Sequence, residues 1–326
     1  MRDVNKILVV TLSNIGDVVL TLPVIGALRE SFKDAAIDVL VSPRAQEIFK
    51  GDPRIGNTYI YDKFASPVSK LRLILRLRQK KYDLLVDLRN GLFGLLVGAR
   101  FCTGPSKKIL SKGEGVRHKI DEHIGKIREL GLSASGAQYP VWISGDDAAK
   151  TASLVMDKGI MDADEIICVA PGAKSHIKRW REEGFAKACD MLIEACKVKV
   201  VFIGDDSDKD ICDRIVGMMK NYSVSMAGMT NLRELAWIIK RSRLIITNDS
   251  APLHIAGSVG TPAVAIFGPT DHNKYGPRHG AGTAVFKKLH CSPCEVASCR
   301  YNLECMKAVT AEEVFDAARK ILDERR

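Results

Sequence analysis

The chain contains no hydrophobic run long enough to cross a bilayer. Its longest apolar stretches have the length of strands, whereas a spanning helix needs about 20 apolar residues. The opening segment, MRDVNKILVV, lacks the long apolar core of a secretory signal and leads directly into a strand-like run. We therefore expect a cytoplasmic protein, whose 326 residues are enough for two domains of ordinary size.

Glycine-rich phosphate loops are also missing. No strand-like run is followed by G-x-G-x-x-G, which disfavours a nicotinamide-dependent oxidoreductase. The first run leads instead into TLSNIGDVVLTLP (11–23), where Gly16 precedes a carboxylate, Asp17. A fixed negative charge does not suit a phosphate cradle. From its position alone, Asp17 either caps the following helix or faces a ligand.

Acidic residues are scarce in the first half of the chain. The net charge is +10, and residues 1–150 hold 24 Lys and Arg against 16 Asp and Glu, while the rest hold 25 against 23. Much of the excess lies at 63–81 and 105–119, which form either a solvated helix face or a surface for an acidic partner. These runs lack interleaved aromatic residues, so we expect no nucleic acid and favour a phosphorylated substrate or an anionic membrane.

Short runs rich in Val, Ile and Leu alternate with helical patterns. The predicted strands form two series, at 6–12, 36–42, 82–89 and 140–144, and at 166–172, 198–204, 243–249 and 261–268. Predicted helices include 184–196, 231–242 and a terminal helix with a capping box from Thr310 to Glu313. Such alternation is typical of parallel sheets covered on both faces. The sequence thus predicts two doubly wound α/β domains, with a linker at 144–165.

Turns that follow predicted strands carry polar groups, and ligands of open α/β sheets bind beyond the carboxyl ends of strands. Besides SNIGD, these turns are APGAKSHIKRW (170–180) and the start of TNDSAPLHIAGSVGTPAVAIFGPTD (247–271). Ser250 and the amides of the following helix form a candidate anion site, to which Lys174, Lys178 and Arg179 add positive charge. Alternatively, NDS is an ordinary helix cap and KRW an ordinary surface turn.

Nine cysteines are present, and in a cytosolic protein we expect them to be reduced. Five are expected in the core, which are Cys102, Cys168, Cys189, Cys196 and Cys212. The other four, Cys291, Cys294, Cys299 and Cys305, follow the spacing C-x2-C-x4-C-x5-C. Four thiolates at this spacing could hold a structural zinc, although the later steps are irregular. Reduced loop thiols and a disulfide remain as alternatives.

The order of these motifs resembles glycosyltransferase family 9, the ADP-heptose:lipopolysaccharide heptosyltransferases. The resemblance rests on GDxxLTLP at 16–23, DLRNGLFG after the third predicted strand, PGA and KRW within 171–180, and the block at 247–271. It covers the chain from residue 6 to about 322. The cysteine-bearing tail is similar to that of members of the heptosyltransferase II group, and the resemblance implies no established metal there.

The resemblance implies a GT-B fold, in which two Rossmann-like domains face each other across a cleft. Residues 1–150 would form the acceptor domain, 160–309 the nucleotide-sugar domain, and 310–326 a terminal helix that can pack back on the first domain. Asp17 matches the general base of the family, which takes the proton of the acceptor hydroxyl during inverting transfer. Asn14, Gly16 and Arg89 are expected to bind the acceptor.

On the donor side, Lys178 matches the family lysine that contacts the diphosphate and stabilises the charge that grows as ADP leaves. The resemblance implies further contacts to the nucleotide sugar from Ser175, Asp249, Ser250, the amides of Ala251 and Leu253, and His254. An acidic residue after the strand at 198–204, Asp205 or Asp208, would bind the ribose hydroxyls. Many members have glycine where this chain has Ala251.

The sequence therefore favours an inverting transferase that moves heptose from ADP-heptose to the phosphorylated lipid A–core of a lipopolysaccharide precursor. We expect no required cofactor, because Lys178 and the helix start replace a metal. The basic region would dock the protein reversibly on the cytoplasmic face of the inner membrane. The alternatives are a family enzyme that uses another nucleotide sugar for a different surface polysaccharide, and a non-catalytic nucleotide-sugar-binding module.

Overall fold

The chain forms two compact units, Met1–Trp142 and Ile143–Arg326. The computed structural model describes residues 3–104, 116–134, 136, 138–278 and 282–325, and the part of the second basic run at 105–115 lies outside them. Each unit is a parallel β-sheet with helices, as the alternation of apolar strands and helical patterns predicted. The predicted α/β fold class is confirmed.

The first unit contains five parallel strands. They are β1 (Lys6–Val10), β2 (Ala36–Val41), β3 (Thr58–Ile60), β4 (Leu84–Asp87) and β5 (Phe101–Cys102). The helices are α1 (Ile15–Val19), α2 (Leu22–Ser31), α3 (Pro67–Gln79), α4 (Phe93–Val97) and α5 (Lys119–Glu129). The strand order is β3-β2-β1-β4-β5. Successive strands are therefore added on one side of β1 up to β3 and on the other side from β4 onwards. The position between β1 and β4 is a topological switch point.

Buried aliphatic side chains hold this sheet together. Strands β1 and β4 pair in parallel with Val10 opposite Asp87, and residues Ile7 to Val10 of β1 are fully buried. A strand buried on both faces needs such a continuous apolar run, which is why β1 showed no alternation in the sequence. In α2, Pro23 occupies the first turn, where its missing N–H costs no helical hydrogen bond.

The second unit contains six parallel strands in the order β11-β10-β9-β6-β7-β8. They are β6 (Ile166–Ala170), β7 (Lys199–Phe202), β8 (Val224–Ser225), β9 (Leu244–Asn248), β10 (Ala263–Phe267) and β11 (Gly282–Phe286). The helices are α6 (Gly145–Asp157), α7 (Glu182–Cys196), α8 (Lys209–Met218), α9 (Leu232–Arg241), α10 (Ala251–Val259), α11 (His272–Tyr275), α12 (Glu304–Lys307) and α13 (Ala311–Glu324). Here the switch point lies between β6 and β9.

Two sequence-based expectations about the middle of the chain are wrong. Residues 140–144, expected to be a strand, have no regular structure. The segment 144–165, expected to be a linker, contains the helix α6, which begins with a capping box between Ser144 and Asp147. Ion pairs from Asp147 to Arg233 and from Lys150 to Glu234 tie α6 to α9, so a domain boundary at 150 would cut through a helix of the second unit.

Four short strands were not predicted, namely β3, β5, β8 and β11. Strands β5 and β8 have two residues each and β3 has three, so no periodic pattern could reveal them. The five residues of β11, GTAVF, are only partly buried and lack the aliphatic run of the central strands. All four lie at or next to a sheet edge.

The terminal helix is confirmed, together with its capping box from Thr310 to Glu313. It packs on α7 and on β9, β10 and β11 of the second unit. Val314, Phe315 and Ala318 belong to the same buried cluster as Ile167 of β6. The helix therefore completes the core of the second unit.

Among the helices in the described part of the chain, none combines the length and the apolar character that crossing a membrane requires.

Candidate active site

The candidate residues of the first unit leave the sheet at its switch point. Strand β1 is followed by Asn14 and α1, which carries Asp17, and strand β4 is followed by the loop with Arg89. A hydrogen bond of 2.9 Å from the Leu88 N–H to the Val10 carbonyl holds the ends of these two strands side by side. The sheet thus brings Asn14, Gly16, Asp17 and Arg89 to one edge.

Asp17 lies in the first turn of α1 and is half-buried. Its Oδ2 accepts a hydrogen bond of 2.9 Å from Nδ2 of the exposed residue Asn14. Asn14, not Asp17, occupies the N-cap position, and its side chain makes no cap bond to the backbone. The alternative in which Asp17 caps the helix is therefore wrong, because Asp17 lies inside α1.

The Arg89 loop is fixed from below by a buried carboxylate. Asp87 accepts hydrogen bonds from the N–H groups of Arg89 (2.9 Å) and Gly91 (3.0 Å). The ammonium of Lys126 on α5 donates to the Asp87 carbonyl and to Oδ1 of Asn90. The guanidinium of Arg89 lies 5.1 Å from the ring centre of Tyr61. These contacts hold the Arg89 guanidinium at the carboxyl edge of the first sheet.

Helix α5 brings two further titratable groups beneath this edge. Burial lowers the pKa of His123 to about 4, and the charge of Asp17 acts weakly in the opposite direction. Burial also lowers the pKa of Lys126, while Asp87 opposes that shift. Sequence reasoning missed both residues. The available indication was His123 itself, a polar residue on the helix face that also carries Ile120, Ile124 and Ile127.

The candidate residues of the second unit also lie at a switch point, between β6 and β9. The loop after β6 carries Ser175 and a 3-10 turn, His176–Lys178, and the turn after β9 carries Asp249 and Ser250. The Lys178 ammonium forms an ion pair of 2.6 Å with Oδ2 of Asp249, whose side chain is 5% exposed while that of Lys178 is 29% exposed. The sheet thus presents an oriented, partly accessible cation.

One further side chain bonds this ion pair directly, and another holds the loop that carries Lys178. The Thr270 hydroxyl, after β10, donates to the same Asp249 oxygen over 2.7 Å. Asn248 donates from Nδ2 to the Pro171 carbonyl (2.7 Å) and accepts from the Trp180 N–H (3.1 Å). Trp180 is 1% exposed, so KRW is not an ordinary surface turn. Sequence reasoning did not single out Thr270 or Asn248, although both stand at the end of an apolar strand.

The start of α10 matches the expected anion site in part. Ser250 occupies the N-cap position without a side-chain cap bond, and its hydroxyl lies 3.2 Å from that of Thr247. The Leu253 N–H already donates to the Ser250 carbonyl. Ala251 provides the first amide of the helix, and His254 lies one turn further along, with its ring 6.5 Å from that of Tyr275. The Ser250 hydroxyl and the Ala251 amide thus belong to the two residues that directly follow Asp249, the partner of Lys178, in the chain.

Asp208 lies against the ends of β6 and β7. A Cβ atom on Gly172 would meet its Oδ1 at 2.1 Å, and one on Gly204 would meet its Cβ at 2.6 Å. Burial raises the pKa of Asp208, and the neighbouring charge of Asp205 raises it further. Glycine at 172 and 204 therefore lets an acidic side chain approach the carboxyl edge of the sheet closely.

The cysteines depart from expectation. No disulfide forms among the described residues, which include all nine cysteines. Cys168, Cys189 and Cys212 are buried as predicted, but Cys102 is exposed and Cys196 is half-buried. In the tail, Cys305 is buried, and the Cys299 sulfur accepts from the N–H groups of Tyr301 and Leu303 at 3.3 Å. Within the described ranges, no three His, Cys, Asp or Glu side chains come together to hold a metal.

Comparison with known proteins agrees with the architecture. The chain is 27% identical to lipopolysaccharide heptosyltransferase 3 of Escherichia coli K12, over 95% of this chain and 96% of the relative. A family 9 glycosyltransferase from Veillonella parvula superposes with a TM-score of 0.87 at 25% identity, with 99% of each chain covered. The E. coli ADP-heptose lps heptosyltransferase II gives 0.77 at 19% identity, with 98% and 99% covered, and shows that the fold is shared.

The family follows from the sequence match. Residues 70–304, well over half of the chain, match the profile of glycosyltransferase family 9 (heptosyltransferase). This stretch includes the Arg89 loop of the first unit and every candidate residue of the second. The protein is therefore a glycosyltransferase and belongs to glycosyltransferase family 9.

Proposed function

We propose that the protein transfers heptose from ADP-heptose to the inner core of a lipopolysaccharide precursor, with inversion at the sugar carbon. The observation that carries the proposal is the ion pair of Lys178 and Asp249 at the switch point of the second unit. The names of the relatives support it, because they denote lipopolysaccharide heptosyltransferases and an ADP-heptose-dependent enzyme.

We assign the donor diphosphate to Lys178, the Ser250 hydroxyl and the Ala251 amide. As the bond between the sugar C1 and the phosphate oxygen breaks, negative charge grows on the departing ADP, and a fixed ammonium stabilises it. Asp249 is itself an anion, so we assign it to orienting Lys178 rather than to contacting phosphate. We assign further contacts to the nucleotide sugar to Ser175 after β6, Asp208 after β7 and His254 on α10.

We assign the general base to Asp17. The acceptor hydroxyl oxygen attacks C1, and its proton passes to the carboxylate as the new glycosidic bond forms. Asn14 bonds Oδ2, which fixes the carboxylate plane, so we assign the proton to Oδ1. General-base assistance of this kind contributes about 10²–10⁴-fold to rate.

The acceptor is expected to be anionic, since the first unit is basic. Arg89, held by Asp87 and Tyr61, is placed to pair with a phosphate of a lipid A–core acceptor, which an arginine fork can bind through two bonds. Because such an acceptor carries acyl chains, the protein is expected to work in peripheral contact with a membrane.

The test is the Asp17→Asn variant. We expect transfer from ADP-heptose to fall about 10²–10⁴-fold, while ADP affinity measured by calorimetry stays unchanged, because Asp17 is not assigned to the donor. Asp34→Asn, which changes an exposed carboxylate of the same unit, is the matched control and keeps full activity. Unchanged turnover of the Asp17 variant would refute the assignment of the base.

The donor is tested separately. Thermal shift with a panel of nucleotide sugars identifies the true donor, because a ligand that binds the folded state raises the melting temperature in proportion to its affinity. Stabilisation by a different nucleotide sugar would point to another surface polysaccharide. Donor binding without transfer to any acceptor would indicate a non-catalytic binding module.

A further inference from the structure

Helix α3 exposes an apolar stripe on the side where a helix of a globular protein is normally polar. Val68, Leu71 and Leu75 are 58%, 56% and 50% exposed. Their spacing of three and four residues places them on one face of the helix. Leu77, on the opposite face, is fully buried in the core of the first unit. The helix is therefore apolar on both its inner and its outer side.

Helix α4 extends the exposed apolar area. Phe93 and Val97 face the core, whereas Leu92, Leu95 and Leu96 are 70%, 79% and 40% exposed. Helices α3 and α4 pack against each other. We call the six exposed residues Val68, Leu71, Leu75, Leu92, Leu95 and Leu96 the α3–α4 apolar surface. Clustered exposed leucines of this kind mark an interaction site more often than a solvated face.

The charged residues of α3 and of the segment around it, 63–81, are all of one sign. Residues 63–81 contain seven Lys and Arg and no Asp or Glu. At 100° per residue, Arg72 and Arg76 lie on one flank of the stripe and Arg78 lies on the other. Arg76 stays near the unit, since its guanidinium lies 5.2 Å from the ring centre of Tyr59. The surface is thus an apolar strip bordered by arginines.

We propose that the α3–α4 apolar surface inserts into a bilayer that contains anionic phospholipids. An apolar strip with basic borders suits the interface of such a bilayer, where leucines enter the acyl boundary and guanidinium groups meet lipid phosphates. A second copy of this chain fits poorly, because a two-fold contact through the stripe would set arginines against arginines. The surface also adjoins the Arg89 loop, since Leu92 lies three residues after Arg89.

This inference rests on the proposed function, because a lipid-linked acceptor gives the protein a reason to reach the membrane. The two are tested apart. Sedimentation with vesicles needs no acceptor and tests the surface, whereas transfer to a deacylated, water-soluble core acceptor needs no vesicles and tests the function.

The main experiment compares Leu71→Glu/Leu75→Glu with the wild type on vesicles of phosphatidylcholine mixed with phosphatidylglycerol. Burying a leucine side chain is worth about 1.5–3 kcal/mol, so the variant should need more than about tenfold more lipid for half-maximal binding. Transfer to the deacylated acceptor should stay unchanged. Met161→Glu, which alters a methionine 52% exposed in the second unit, is the matched control and binds as the wild type does.

A second variant, Arg72→Gln/Arg76→Gln, tests the charge. Each basic group near an anionic surface contributes about 1 kcal/mol, or about fivefold in affinity, so binding should weaken on the mixed vesicles and stay unchanged on phosphatidylcholine alone. The proposal is overturned if the wild type does not bind mixed vesicles, or if the leucine variant binds them equally well. It is also overturned if the leucine variant instead converts a dimer into a monomer, which would assign the surface to a second copy.

Discussion

The two switch points differ in how firmly their functional groups are held. In the second unit, Asp249 is nearly inaccessible and bonds both Lys178 and Thr270. In the first unit, Asp17 is half-buried and is bonded by an exposed asparagine. A cation assigned to a small, defined diphosphate is oriented before the donor arrives, which reduces reorganisation during the reaction. A base that must admit a large acceptor stands in an open position.

Of the variants other than Asp17→Asn, the largest effect is expected from the one that removes the oriented cation. In Lys178→Met, we expect kcat for transfer to fall about 10²–10³-fold, because the charge on departing ADP loses its fixed partner. ADP affinity should also fall, in contrast to Asp17→Asn. Parallel kinetics and calorimetry on the two variants measure this difference. Equal loss of ADP affinity in both variants would break the division between a donor unit and an acceptor unit.

A pH effect is expected in the first unit. Burial lowers the pKa of His123 to about 4, below the ordinary value of 6.5. The unfolded chain therefore binds this proton first, and the free energy of unfolding should fall as pH drops from about 6.5 to about 4. At 1.36 kcal/mol per pKa unit, the total loss is on the order of 3 kcal/mol.

Urea unfolding across this pH range measures the effect, with the His123→Gln variant as comparison. The variant cannot bind the proton, so its pH profile should be flatter than that of the wild type between pH 6.5 and 4. Identical profiles would show that His123 does not contribute to the acid sensitivity of the first unit.

Close packing in the second unit predicts a smaller effect. In Gly172→Ala, the new methyl group would meet Oδ1 of Asp208 at 2.1 Å, so the carboxylate must move. We expect a loss of about 1–3 kcal/mol of unfolding free energy and a higher KM for the donor. The control is Gly257→Ala on α10, where a Cβ atom meets nothing within 4 Å. This substitution should stabilise the helix by about 0.5–1 kcal/mol. Equal behaviour of both variants would contradict a tight Asp208 position.

The smallest effect is expected from Lys126→Met. The change removes the hydrogen bonds that Lys126 donates to the Asp87 carbonyl and to Oδ1 of Asn90. Because it also removes a buried charge, the net loss of unfolding free energy should be about 1 kcal/mol. Because Lys126 supports the Arg89 loop, KM for the acceptor should rise while KM for the donor stays constant. A change in the donor KM would show that the support extends beyond this loop.

The central strands could be predicted from the sequence because they are buried on both faces, and a buried parallel strand leaves an aliphatic run. Lys178, Asp249 and Asp17 could be located because they follow such runs, although their roles came from the family resemblance. The linker prediction failed at α6, whose polar start, SGDD, is a capping box rather than an irregular segment. A capping residue and a loop residue have the same composition, so only the position of the following turn separates them.

Other site residues could not be found in this way. Lys126 and His123 lie on a helix and are more than 30 residues after Arg89, so no local pattern connects them to its loop. Asn248 ends β9 and Thr270 follows β10, but which group a hydroxyl or an amide bonds depends on the order of the strands in the sheet. That order, β10-β9-β6, is a property of the tertiary structure.

The side chain of Asn248 carries a consequence of its own. Its Nδ2 donates a hydrogen bond to the Pro171 carbonyl, and its Oδ1 accepts one from the Trp180 N–H. The two ends of the amide therefore have opposite polarity. An aspartate has the same shape but two identical oxygens, and one of them would then oppose the Pro171 carbonyl. Spontaneous hydrolysis of this one amide during storage would exchange a single NH₂ for an oxygen and replace an attraction with a repulsion. In stored protein, this one hydrolysis would loosen the loop that carries Lys178 while leaving the mass of the chain almost unchanged.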